Sequence, residues 1–283
     1  MKRFVRRVIT KAPNVLDLWR FHLRNGAARA GLLRPNRRYT RFIVLGTART
    51  GSNYLRGLLN AHDQVVAFGE VFRHYEEIGW DFSLVPETGA MRRQFQSDPV
   101  AFVEQRIYGN FPAHIRAAGF KIFYYHAQQP AWAPLWPHLE AQTDIKVLHV
   151  KRRNYLKTLL SRKRAFLTDE WVRRAPGSSQ PVGPIAIPYE ECLADFTKTR
   201  AYEAEFDGRF ATHDRYDVMY EDLARNEAAE MRRILAFLGV PEKAVAPSTV
   251  KQSKSLPLSQ AIANYAALKA QFAGTEWAAF FTD

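Results

Sequence analysis

The residues best placed to do chemistry fall in one stretch, Arg41 to Asn60, RFIVLGTARTGSNYLRGLLN. Gly46 and Gly51 bound a short loop whose only cation is Arg49. Ahead of it, Phe42 to Leu45 is a continuous apolar run, as in a strand buried on both faces. Behind it, Leu55, Leu58 and Leu59 recur at helical spacing, and Ser52 is expected to cap that helix. Strand, tight loop and helix start converge backbone N–H groups and the positive end of a helix dipole on one point. Thr47, Ala48, Arg49, Thr50, Gly51, Ser52 and Asn53 are therefore expected to hold an anion, most often a phosphate. The glycine spacing matches a P-loop, but Ser52 stands where that motif has lysine. The alternative for this stretch alone is an ordinary βα turn with a packing glycine.

The second constellation is Lys151 to Ala165, KRRNYLKTLLSRKRA. The apolar run Ile145 to Val150 reads as a strand that runs straight into arginines and then a helix. Arg153 and Ser161 are eight residues apart, about two helical turns, and both can reach a phosphate lying along that helix. Arg162, Lys163 and Arg164 read as a solvated basic face. A metal-dependent P-loop enzyme would more often end a strand in Asp; here the strand ends in cations. Two more charged residues sit at strand ends: Glu70 directly beyond Val65–Phe68, and Lys121 within Gly119–Tyr124.

These elements predict an α/β fold. Strands 42–45, 65–68, 119–124, 145–150 and 216–220 alternate with helices, the pattern of a parallel sheet wrapped by helices. Helices are expected over Pro99–Tyr108, Trp132–Glu140, Tyr189–Phe206, from Asn226 to Gly239, and over Leu258–Phe272 as one terminal helix. Residues 175–188, rich in Pro, Gly and Ser, read as a surface loop. In such sheets ligands sit at the carboxyl ends of the strands, which is where Arg49, Glu70, Lys121 and Arg153 fall.

Composition sets the outer bounds. The chain has 283 residues, 47% of them hydrophobic, enough for a substantial core. No apolar run is long enough to span a membrane, and the basic N-terminus lacks the apolar core of a secretory signal. The single cysteine, Cys192, excludes internal disulfides, fits a reducing cytoplasmic compartment and reads as a core residue. The net charge is +13, but residues 1–40 hold eleven Lys and Arg against one acid, Asp17. The remainder carries only +3, so bulk charge does not make the body a nucleic-acid binder. The division expected is a basic arm, 1–40, and a single domain, 41–283. Within the arm Leu16, Trp19 and Leu23 share a helix face. Such a helix either packs on its own domain or lies peripherally on an anionic membrane.

The two motifs together resemble the sulfotransferases. TARTGSNYL resembles their 5′-phosphosulfate-binding loop, and RRNYLKTLLSRKRA their 3′-phosphate-binding segment, with Arg153 and Ser161 at the matching positions. YEDL followed by RRILAFLGVP resembles a segment common in the superfamily. The tail from Val250 and the segment PIAIPYEECLADF resemble bacterial carbohydrate sulfotransferases of the nodulation-factor type. The similarity runs from about residue 41 to the C-terminus; many members have lysine where this chain has Arg49. The resemblance implies a P-loop-like sulfotransferase fold. It implies 3′-phosphoadenosine 5′-phosphosulfate as donor, no metal, and a hydroxyl acceptor on a carbohydrate or glycolipid. In that frame Arg49 sits by the bridging oxygen and Lys121 shares that role or holds the sulfonate. Glu70 is the candidate general base, with His74 and His126 behind it. Lys251, Lys254 and Ser255 are candidates to cover the nucleotide, a solvated loop being the alternative. The competing functions are a P-loop kinase for a small metabolite and a non-catalytic nucleotide-binding module.

Overall fold

The structure, a computed structural model, describes residues 36–80, 87–168, 183–243 and 256–282. Leu16, Trp19 and Leu23 of the arm, and most of the expected loop 175–188, lie outside the described residues, as do Lys251, Lys254 and Ser255.

Five strands form one sheet, all parallel: β1 (Thr40–Gly46), β2 (Val65–Glu70), β3 (Ala117–Phe123), β4 (Lys146–Lys151) and β5 (Arg215–Met219). Their order is β2-β3-β1-β4-β5. β1 is central, and the chain winds to one side of it and then to the other. All five carboxyl ends consequently open at one edge.

Helices cover both faces, which is why the strands read as unbroken apolar runs. They are α1 (Ser52–Ala61), α2 (Gly89–Ser97), α3 (Pro99–Phe102), α4 (Leu135–Ala141), α5 (Tyr155–Thr168), α6 (Tyr189–Arg209), α7 (Tyr220–Arg225), α8 (Glu227–Leu238), α9 (Leu258–Ala261) and α10 (Tyr265–Gln271). Alternate residues of β1 divide between two cores. Ile43 and Leu45 pack with Phe120, Phe95, Phe102, Trp132 and Phe206. Phe42 and Val44 pack with Leu55, Leu58 and Leu59 of α1 and with Ile234, Leu235 and Leu238 of α8. A third cluster joins α5 and α6 to the C-terminal segment through Leu156, Cys192, Phe196, Phe272 and Trp277. Burial there pushes the Cys192 thiol up to about 12, so it is a packing residue.

Local chemistry accounts for most element ends. Asn226 caps α8 by accepting the Ala229 N–H at 3.2 Å, and Gly239, left-handed at φ 69°, closes it. Pro99 opens α3, which continues as a π-turn over Val103–Ile107. The expected single helix over Leu258–Phe272 is two helices. Tertiary bonds account for the break. The Asn264 side chain accepts the Ile187 N–H at 3.0 Å and donates to the Ile187 carbonyl at 2.8 Å, while Ile262 pairs with Ile185. Among the described residues no helix is long and apolar enough to cross a membrane.

Asn264→Ala removes two partly buried hydrogen bonds. It is expected to cost roughly 1–3 kcal/mol, read as a lower denaturant midpoint with an unchanged m-value.

Candidate active site

The loop after β1 is built from strained and close-packed backbone. Gly51, at φ 87°, precedes α1, and a Cβ there would lie 2.4 Å from Cδ2 of Tyr220. Arg49 is also left-handed, at φ 71°, a conformation that costs a non-glycine residue roughly 1–3 kcal/mol and is held only by its surroundings. Four contacts hold it. Arg49 Nε donates to Ser161 Oγ at 3.0 Å, and the Arg49 carbonyl accepts from Arg152 Nη1 at 3.3 Å. The Ala48 N–H donates to the Tyr125 hydroxyl at 3.2 Å, and the Thr50 hydroxyl to the Thr47 carbonyl at 2.8 Å.

Ser52 was expected to cap α1. It is instead the first helical residue; the N-cap is Gly51, and no side chain caps the helix. The reason is the left-handed turn at Gly51, which carries Ser52 past the capping position. The first-turn N–H groups have no intrahelical acceptors and no side-chain cap, so the dipole and these donors are left for an anion.

Next to this helix start lies a buried ion pair. Lys121 of β3 is 1% exposed. Its ammonium meets Glu70 Oε1 at 2.9 Å, donates to Asn53 Oδ1 of α1 and lies over the Phe123 ring. A register shift in β2 makes the pair possible. Phe68 pairs with Phe120, and then Glu70, not Gly69, pairs with Lys121. Such a bulge re-aims a side chain. Burial opposes the charge on Glu70. The Lys121 ammonium, helped by His126 and Arg73, outweighs it and holds the carboxyl below the usual glutamate range. Arg73 approaches Glu70 at 3.5 Å and His126 Nε2 at 3.8 Å.

His126 is placed to orient rather than to accept a proton. Its Nδ1 accepts the Phe123 N–H at 3.1 Å, which leaves the ring proton on Nε2, facing Glu70. Burial, set against Glu70's attraction, brings its pKa down to about 4. His74 lies in an isolated bridge with Glu77.

The structure thus brings Arg49, Lys121, Glu70, Asn53 and Ser161 to the loop. Arg153 is different. It is half exposed, and its guanidinium makes a forked pair with Asp222 at 2.8 and 2.6 Å. Ser161 meets Arg49, and no hydrogen bond joins it to Arg153 among those seen. Sequence reasoning missed Tyr125, Tyr220, Arg152 and the Asn53 side chain; the YEDL segment was the one available signal, for Tyr220. It also missed Asp217, an acid inside β5. Asp217, Asp207 and His149 cluster, but Lys151 reaches both carboxylates at 2.9 Å and Arg215 meets them at 3.1 and 3.2 Å. The charge there is already balanced by protein cations.

Gly51→Ala is expected to destabilise the fold by roughly 1–3 kcal/mol, from the left-handed backbone alone, with the clash against Tyr220 adding to it. The measurement is the shift in melting temperature, and wild-type melting would show that the loop relaxes around the added methyl group.

Comparison with known proteins identifies the family. Residues 41–244 match the model of the sulfotransferase family. The chain is 29% identical over 246 residues to Nodulation protein H of Rhizobium meliloti (strain 1021), covering 85% of this chain and 94% of that one. It is 26% identical over 248 residues to Nodulation protein H of Rhizobium tropici, covering 85% and 92%. Among solved structures, a sulfotransferase from Alicyclobacillus acidocaldarius superposes with a TM-score of 0.45 at 17% identity, over 82% of this chain and 91% of that one, a likeness too distant to argue from. The family match spans most of the chain and includes the loop, the ion pair and the arginine segment: the protein belongs to the sulfotransferase family and is an enzyme of that class.

Proposed function

We propose that the enzyme transfers the sulfuryl group of 3′-phosphoadenosine 5′-phosphosulfate to a hydroxyl of a carbohydrate or glycolipid. The observation that carries the donor reading is the uncapped start of α1 behind a loop held open by Arg49 and Gly51. Such a helix start suits an anionic phosphate ester, and no side chain among the described residues caps it. The donor supplies an activated sulfuryl group; the rest of the chemistry belongs to the chain.

In this reading, the N–H groups of Gly51, Ser52 and Asn53 and the α1 dipole receive the charge that grows on the leaving phosphate. Arg49 sits at the same loop and stabilises the bridging oxygen as the S–O bond breaks. Lys121 holds the transferring sulfonate. Glu70 takes the acceptor's hydroxyl proton as the new O–S bond forms. Its pairing with Lys121 keeps it ionised at neutral pH, so it is ready to accept a proton, although the same pairing makes it a weaker base. Arg153 and Ser161 bind the 3′-phosphate, and Arg153 exchanges Asp222 for it. Lys251, Lys254 and Ser255 are taken, from the resemblance alone, as further contacts to the nucleotide.

The P-loop kinase alternative is less well supported. Ser52 replaces its lysine, and Asp217, an acid within β5, is engaged by Lys151 and Arg215. A carbohydrate acceptor is favoured by the resemblance to nodulation-factor sulfotransferases and by the name that the two rhizobial relatives bear. We take the described body, from about residue 41, as one catalytic domain, and residues 1–40 as an arm able to meet an anionic membrane.

Adenosine 3′,5′-bisphosphate is expected to raise the melting temperature without magnesium; a magnesium-dependent shift by ATP instead would favour the kinase. An acceptor screen with radiolabelled donor should label oligosaccharides before simple alcohols. Arg49→Ala should lower kcat by roughly two orders of magnitude, the scale for losing one transition-state donor. Glu70→Gln should lower kcat and leave donor affinity nearly unchanged, because the amide still accepts from Lys121. Because Glu70 titrates below the glutamate range, the enzyme holds it ionised down to acid pH and loses it as pH falls through that value. The acid limb of kcat/KM should therefore lie below about 4.3, the unperturbed glutamate value. A limb near pH 6 would remove Glu70 from proton transfer.

A further inference from the structure

One cation at the loop has no role in this scheme. Arg152 follows β4, and its Nη1 donates to the Arg49 carbonyl. Its guanidinium lies 4.8 Å from the centroid of the Tyr220 ring, the same ring that packs against Gly51. The side chain is only 11% exposed, and Nε is buried with no hydrogen-bond partner. Glu221 approaches no closer than 3.9 Å from Nε. Its other oxygen accepts the Arg153 N–H at 3.1 Å.

The neighbouring cations at this edge are balanced differently. Lys121 meets Glu70 at 2.9 Å, Lys151 meets two aspartates at 2.9 Å, and Arg153 is forked on Asp222. Arginine stays protonated in proteins, and a buried charge without a close counter-ion is costly. Burial outweighs the opposing pull of Tyr220 and Glu221 and holds this guanidinium below the usual arginine value. Supporting one carbonyl would need only a single neutral donor. A planar, weakly hydrated guanidinium stacked on an aromatic ring is suited to recognising a phosphate.

We propose that Arg152 completes the anion site of the 46–52 loop, its charge balanced by the 5′-phosphosulfate end of the donor. This rests on the donor reading given above. It separates the two arginines by ligand position: Arg152 serves the phosphate on the loop, and Arg153 serves the 3′-phosphate.

The test is calorimetry and thermal melting of the full chain with Arg152→Met, Arg152→Gln and Arg153→Ala. Glutamine keeps a donor for the Arg49 carbonyl and removes the charge. In both Arg152 variants, affinity for adenosine 3′,5′-bisphosphate and for adenosine 5′-phosphosulfate should fall at least tenfold. The ligand-free melting temperature of Arg152→Gln should stay level or rise, because the Arg49 carbonyl keeps its donor and an uncompensated charge has gone. Arg153→Ala should lose affinity for the bisphosphate alone. Wild-type affinity in the Arg152 variants overturns the proposal. A lowered ligand-free melting temperature in Arg152→Gln also overturns it, by making the guanidinium itself a support of the fold. Inorganic sulfate, titrated in parallel, separates this failure from that of the donor reading. If wild type binds sulfate but neither nucleotide, the donor reading falls, and Arg152 stands or falls by whether its variants lose sulfate.

Discussion

The ammonium of Lys121 is buried between β3 and α1, and a buried ammonium must be paired. Removing one partner of a buried pair costs roughly 3–5 kcal/mol, because the remaining charge is stranded. Glu70 is that partner, and it reaches Lys121 because β2 slips by one residue between Phe68 and Glu70. In an unbroken ladder Gly69 would stand opposite Lys121, and Glu70 would point to the other face of the sheet. The ion pair therefore fixes an irregular strand end, ties β2 to β3, and through Asn53 ties both to the first turn of α1. Glu70, Lys121 and the start of α1 are set relative to one another by this buried contact.

A parallel sheet brings every strand's carboxyl end to one edge, and this chain loads that edge with positive charge. Arg49, Lys121, Lys151, Arg152 and Arg153 all lie there. Crowded cations repel, and the fold offsets most of this with acids from other elements: Glu70, Asp207 and Asp217, and Asp222. The Lys151 cluster shows how complete that can be. Two aspartates, Arg215 and a buried His149 surround it; burial and the Lys151 charge bring His149 down to about 4, so it stays neutral. The charge left least balanced lies next to the helix start, where an anion of the donor is expected. Arg49 adds strain to the same place, since a left-handed arginine persists only with its side chain and carbonyl both held. Unbalanced charge is the condition that a bound anion would relieve.

Much of the architecture was legible beforehand because it follows from local chemistry. Strands buried on both faces must be apolar throughout, so Phe42–Leu45, Val65–Phe68 and Ile145–Val150 stood out. Asn226 and Gly239 marked the ends of α8, since a side-chain acceptor and a left-handed residue are what helix ends require. The glycines at 46 and 51 announced the tight loop. The terminal helix was misread because its break at Asn264 comes from two bonds to Ile187, about eighty residues away in the chain, which no local pattern can carry.

What the amino-acid order determined by itself was therefore the fold class, the tight loop between β1 and α1, and the presence of Arg49, Glu70 and Lys121 toward the carboxyl edge of the sheet. These depend on periodicity, turn chemistry and residue type. Which of those charges meet was decided only in three dimensions. The bulge that turns Glu70 onto Lys121 is a shift in register between two chain segments about fifty residues apart. The choice between Arg152 and Arg153 depends on which guanidinium is buried against Tyr220 and which is drawn into solvent by Asp222. Adjacent identical residues have the same chemistry on paper, and only the packing around each one, with the counter-charge it finds there, makes them different.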